Sequence, residues 1–441
     1  MHNFWSSVFC GFFLLLAGQL IAQPKDNSPY SRLGLGDPVP QAYSANLGMA
    51  GLSAAFNNPY HLNLRNPASL GFLQTTSFEA GLYAKYASLD GGNDGSAGVW
   101  SGNLQYLALG FPMSNPINQA LERKKKTFNW SMAIALQPYT SVGYDIQTTD
   151  VVPAFDTTIN IFEGTGGSSR LVWANGFRYK ELSLGFSAGY LFGKITNSRR
   201  VFFQDLGIAY QDDFEDEISI RAWTLDLGAQ YRLWLKKAEE TPTRGDKSIT
   251  FGIFGNLAQS FKTNSSKLYV GVNGSYPDLD TLVIENDVEG SGVLPSTINF
   301  GLMYESFQKL KLGVDVNLEN WSAYENDAKP EVLSNTYRIA IGGEYIPDIT
   351  SYNSYAKKMR YRFGGFYGTD ARSFNSTLTS YGVTLGVGLP VILQRGQTSF
   401  VNLALEAGQF GSAEFIRETY VKMTLGFTLN DNSWFYKRKF D

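Results

Sequence analysis

The chain has 441 residues, a formal net charge of -3 and 17% charged residues, with no long basic face to hold nucleic acid. Its length would make two or three soluble domains, but one large closed sheet also accommodates it. With 25 Tyr, 31 Phe, 8 Trp and 45 Gly against 16 Pro, the composition favours strands and turns over helices, and it suits either the aromatic girdles of a membrane barrel or a soluble all-β protein with aromatic cores.

Val8 to Ala22 (VFCGFFLLLAGQLIA) is an apolar run too short to span a bilayer comfortably, followed by polar Gln23 and Pro24. We read residues 1–22 as a secretory signal cleaved near Ala22, with an uncleaved anchor as the alternative. Cleavage removes Cys10, the single cysteine, and with it any disulfide or thiolate chemistry. Beyond residue 22 no run of 18 apolar residues occurs, which excludes helical membrane spans.

Residues 23–71 do not alternate. They hold SPYSRLGLGD (Ser28 to Asp37), NLGMAGLSAAF (Asn46 to Phe56) and NPYHLNLRNPASL (Asn58 to Leu70). Gly48, Ala50, Gly51, Ala54 and Ala55 let chain pack closely in a confined space, and the Asn-Pro pairs mark turns. This pattern predicts a compact plug, ahead of a barrel over 72–429 and a periplasmic tail over 430–441.

From residue 72 the hydrophobic pattern has period two, the mark of a strand with one apolar and one polar face. Alternating runs near 76–88, 98–111, 128–145, 168–180, 182–198, 217–235, 248–262, 296–306, 309–320, 335–346, 358–368, 376–389, 398–409 and 417–429 predict an all-β, transmembrane, antiparallel up-and-down barrel of about fourteen strands. Lys180-Glu181 and Phe307-Gln308-Lys309 are tight turns after even-numbered strands. The long connections 199–216, 263–295 and 321–334 follow odd-numbered ones. That phase puts both termini in the periplasm of a Gram-negative cell.

Side-chain alternation then sorts the wall. If Leu225, Leu227, Tyr231 and Leu233 face lipid, Asp226 and Arg232 face the lumen, together with Glu79, Lys85, Arg338, Arg360 and Arg362 on other strands. Such a charged lumen fits a solute path or a paired network bracing wall and plug.

The Gly/Ala-rich stretch, Asn66-Pro67-Ala68 directly before strand one, the fourteen strands, GVGLPVIL (Gly386 to Leu393) and LEAGQFG (Leu405 to Gly411) together resemble the FadL/TodX group of outer-membrane transporters for hydrophobic compounds. The resemblance implies passive uptake of long-chain fatty acids or other hydrophobic compounds. It assigns the ligand path to Asn66, Pro67, Ala68 and Pro138, because in that family a kink in the third strand opens the wall sideways. Pro138 lies within WSMAIALQPYTSVGY, where a proline forces a bulge or an unpaired position, or else ends the strand.

Other motifs carry little. Gly34-Leu35-Gly36 has no flanking strand and helix to make a nucleotide loop, and Asp278, Asp280, Glu285, Asp287 and Glu289 lack calcium-loop spacing. His61 is the only histidine beyond the leader, so no Ser-His or zinc-histidine site is expected. The sequence therefore points away from an enzyme, a metal and any cofactor. Its expected partners are outer-membrane lipids, hydrophobic small molecules and other outer-membrane proteins. Two functions remain: the uptake channel, or a non-transporting barrel subunit of an outer-membrane secretion or assembly complex.

Overall fold

The computed structural model describes residues 28–431, apart from 93–94, 114–126, 153–155, 204–209, 238–242, 274–278, 375, 394–396 and 413. The expected leader over 1–22 and nearly all of the tail over 430–441 lie outside these residues, as does Asp278. The alternating runs form a closed antiparallel barrel of fourteen strands. They are β1 (Thr76–Asp90), β2 (Ser96–Pro112), β3 (Phe128–Val152), β4 (Asp156–Tyr179), β5 (Leu182–Phe203), β6 (Tyr210–Lys236), β7 in two pieces (Lys247–Asn256 and Gln259–Asn273), β8 in two pieces (Leu279–Leu294 and Thr297–Ser306), β9 (Leu310–Glu319), β10 (Thr336–Tyr345), β11 (Arg360–Phe374), β12 (Ser376–Ile392), β13 (Thr398–Gly411) and β14 (Arg417–Asp431). Each divided strand counts once because both pieces of β7 lie along β6 and both pieces of β8 lie along β7. The ring closes where β14 meets β1, from Arg417 opposite Asp90 to Asp431 opposite Thr76.

The pleat sorts side chains as their chemistry demands. On β14, Val421, Met423, Phe427 and Leu429 are exposed, whereas Glu418, Lys422, Thr424 and Thr428 are buried. On β6 the exposed set is Trp223, Leu225, Leu227, Tyr231 and Leu233, and Thr224, Gln230 and Arg232 are buried. An outward apolar surface with an inward polar one suits hydrocarbon outside and protein inside.

Two segments expected as long loops are strand instead. Over 199–216, β5 continues to Phe203 and β6 starts at Tyr210. Over 263–295, the second piece of β7 pairs with the first piece of β8, placing Asp280, Glu285 and Glu289 in the ladder and Asp287 at a bulge. Beyond the bilayer both faces of a strand meet water, so no apolar alternation marks it.

Tight turns occur at Lys180, in a two-residue connection, and at Gln308, in a three-residue one, both with positive φ, 54° and 57°, as short hairpin connections commonly require. Asp431 lies at this short-turn end. Ser28 does not; its amide donates to the carbonyl of Gly143, well along β3 (2.9 Å).

Residues 28–75 pack against strands on several sides of the ring. Asn66 caps a 3-10 helix, Pro67–Phe72, by accepting the amide of Ala68 (3.1 Å), with proline pre-set at its first position. Ser183 of β5, Gln230 of β6, Asp315 of β9 and Thr384 of β12 all bond directly to this segment. Its Tyr43, Met49, Leu52, Phe56, Leu62 and Leu70 are almost wholly buried. The wall carries glycine where the two come closest: a Cβ on Gly252 would stand 1.9 Å from the carbonyl oxygen of Ala54.

Candidate functional site

Two features of the interior bear on function, a lattice of lumenal charges and an incomplete seam in the wall. In the lattice, Glu344 of β10 stands directly opposite Arg362 of β11. It accepts from Arg362 Nε at 2.8 Å, and Arg360 reaches it at 3.5 Å. Arg362 also donates to Asn402 (2.7 Å), which donates to Thr428 (3.3 Å). Thr428 in turn meets His61 Nδ1 (3.2 Å), and His61 lies 3.6 Å from Glu79. Glu79 accepts the amide of Leu62 at 2.8 Å. Burial holds the His61 ring well below its ordinary pKa, helped by the charges of Arg360, Arg362 and Lys311.

Further round the ring, Glu305 pairs with Lys311 (3.2 Å) and Arg232 (3.6 Å). Lys311 donates to the carbonyl of Asn57 (2.8 Å), and Arg232 donates to the Asn57 side chain. Asp315 accepts the amides of Ser53 and Ala54 at 2.6 and 2.9 Å. Arg338 donates to the carbonyl of Ala50 (3.1 Å) and lies over the Phe366 ring. Asp226 takes Arg170 and Ser187, and Lys85 takes Glu418. Each of the seven charged residues singled out in the sequence thus has an ion-pair or hydrogen-bond partner. Asn66, Pro67 and Ala68 belong to the same body: Asn66 Nδ2 donates to the carbonyl of Ala54 (2.6 Å) and Ala68 accepts from Ser183.

The seam lies between β2 and β3. β1 and β2 pair from Ser77 opposite Gly110 to Asp90 opposite Ser96, and β3 pairs with β4 along its whole length. Yet β2 and β3 pair only from Leu107 opposite Leu136 to Pro112 opposite Ser131. Pairing stops just before Pro138, which does not end its strand: β3 continues to Val152, and its register with β4 slips between Pro138 and Thr140. The edge of β3 that β2 leaves open is taken instead by the chain's own start, with Asp37 and Pro38 opposite Ser141 and Thr140. Val39 donates to the carbonyl of Tyr139 (3.0 Å), and Gln41 donates to that of Pro138 (2.8 Å).

Residues 28–39 are strapped in place from the far side. Arg372 at the end of β11 donates to Asp37 and to the carbonyl of Tyr30, and it is also held by Asp370 (2.7 Å). Lys329 reaches the carbonyl of Arg32, and Glu331 accepts the amide of Gly34. Tyr30 donates to the carbonyl of Ile416 at 2.5 Å. Sequence reasoning missed Arg372, Asp37, Lys329 and Glu331. No local motif marks them; what joins them is one contact across 335 positions and another across 297.

Residues 6–441 match the family model described as BamG. No curated protein matches the chain. Among solved structures, it is similar to a Pseudomonas aeruginosa FadL homologue (14% identity, 89% of this chain and 98% of that one, TM-score 0.54). It is also similar to the Pseudomonas putida toluene transporter TodX (14%, 89% and 99%, TM-score 0.51) and the Ralstonia pickettii toluene transporter TbuX (13%, 88% and 98%, TM-score 0.50). At these identities the likeness is one of fold, an outer-membrane β-barrel.

Proposed function

Because the chain belongs to the BamG family along nearly its whole length, and because buried charges brace its wall strands to one another and to residues 28–75, we propose that it is a non-transporting, FadL-like barrel subunit of an outer-membrane secretion or assembly complex. Residues 28–75 act in it as a fixed plug. The observation that carries this reading is the lattice: Glu344, Glu305, Asp315 and Asp226 each hold a wall strand to another strand or to the plug. A solute passing through would have to break several buried pairs, each costing about 3–5 kcal/mol when one partner is removed. The orientation follows the turn lengths, with Lys180 and Gln308 on the periplasmic side.

Native mass spectrometry after mild solubilisation tests the proposal. A polypeptide bound in fixed stoichiometry, with no ion conductance in planar bilayers, supports it; a monomer whose deletion abolishes uptake of hydrophobic solutes overturns it.

One observation favours a second reading, uptake of hydrophobic compounds with sideways release. It is the short β2–β3 pairing beside Pro138, at the strand where the FadL/TodX resemblance places a wall opening. Lipids retained by the purified protein, and lost in Pro138→Val, would support that reading.

A further inference from the structure

The unpaired stretch of β2 is more than a gap. Tyr86 and Leu82 of β1 stand beside Trp100 and Leu104, and these four form the apolar outer row, with Trp100 63% exposed and its ring 5.0 Å from that of Tyr86. The edge from Trp100 to Gln105 therefore runs at the level of the lipid-facing band. There it has no ladder partner on its β3 side among the described residues. The amide of Leu104 turns to the side chain of its own neighbour, Asn103, at 2.7 Å. Backbone groups facing hydrocarbon must be satisfied within protein, and an open sheet edge is not tolerated there. A hydrocarbon ligand in the seam would leave them unmet, whereas an extended strand would meet them.

We infer that the β2 edge, from Ser96 to Gln105, is a docking site for an extended segment of another polypeptide, added to the sheet as a strand; this rests on the complex-subunit reading. The chain shows the same mode on the opposite side of the seam, where Asp37 and Pro38 add themselves to β3. There two prolines, Pro38 and Pro40, limit how far its own segment can pair, since proline has no amide to donate. The β2 edge also sets the guest's chemistry. Trp100 and Leu104 face outward and Ser101 and Gln105 face inward and are buried, so a matching strand alternates apolar and small polar residues.

The test places the photo-crosslinking residue p-benzoylphenylalanine at Gly98, Gly102 or Leu104 of the full chain in intact outer membranes, with Leu425 on a fully paired strand as control. Adduct peptides are then mapped by mass spectrometry. The expected result is adducts to one alternating segment of a partner polypeptide, stepping along it in antiparallel register as the probe moves along β2. With the probe at Gly98, the added substitution Leu104→Pro, which removes a seam-facing amide, should cut their yield about tenfold, as loss of one or two backbone hydrogen bonds implies. Adducts to lipid alone, to a second copy of this chain, or to protein without register stepping overturn the inference. If a stoichiometric partner copurifies while the edge gives no adducts, the docking site is refuted and the subunit reading stands. If no partner copurifies, the subunit reading fails and the inference with it.

Discussion

Replacing Glu344 by alanine leaves two guanidinium groups facing a vacancy. Arg360 is 6% exposed and Arg362 is 2% exposed, so neither can turn to water. Arg362 keeps its bond to Asn402, and Arg360 keeps its place 4.6 Å from the centre of the Phe400 ring. Removing one member of a buried pair costs about 3–5 kcal/mol, and the contacts to Asn402 and Phe400 that the two guanidinium groups retain put the loss at the low end of that range. A loss near 3 kcal/mol is therefore expected, read as a lowered midpoint of guanidinium unfolding in lipid vesicles followed by tryptophan fluorescence. Replacing all three residues, Glu344→Met with Arg360→Met and Arg362→Met, should lose less than the single change, because no charge is then stranded. The reasoning is refuted if Glu344→Ala loses under about 1 kcal/mol, the value of a solvated pair, or if the triple variant is the less stable.

Asn66→Ala removes both the helix cap and the bond to Ala54, for an expected loss of about 1–3 kcal/mol in the same unfolding assay; Asn66→Asp should recover only part of it. Gly252→Ala drives a methyl group into the Ala54 carbonyl, so residues 44–72 should become open to protease in folded barrels, and unchanged resistance would contradict the packing described. His61, held neutral by burial, makes stability fall with acid: above pH ~6.5 neither folded nor unfolded chain protonates it, and below that the unfolded chain alone does. His61→Gln should flatten the decline below that pH relative to the parent chain, and parallel curves would show that other groups set it.

Much of the barrel was legible because a bilayer imposes a period-two pattern on any strand crossing it. Val421, Met423 and Leu429 could be set against Lys422, Thr424 and Thr428 by counting alone, and the charged lumenal residues followed by parity. Even the Glu344–Arg362 pair is recoverable once β10 and β11 are laid antiparallel across 347–357. The paired hairpin over 263–295 was not legible, since water wets both its faces and removes the pattern. Nor was the seam legible from β2, whose Gly98, Gly102 and Asn103 read as an ordinary weak strand. Only Pro138, across the gap, hinted that the ladder would fail there. The Arg372 strap depends on chain distance, about which spacing in the sequence is silent.

The closure of β14 on β1 has a consequence for how the molecule is made. Tyr30 bonds to Ile416, 386 positions later, and the joint at Asp90 and Arg417 unites the first wall strand with the last one synthesised. With residues 28–75 acting as the proposed plug, their seating is expected to precede the zipping of that joint. On that reading biogenesis is ordered by topology: a partly rolled sheet holds its own N-terminal segment while waiting for the final strand. Contacts this distant in sequence are slow to form, so the longest-lived assembly intermediate should be an open, loaded sheet.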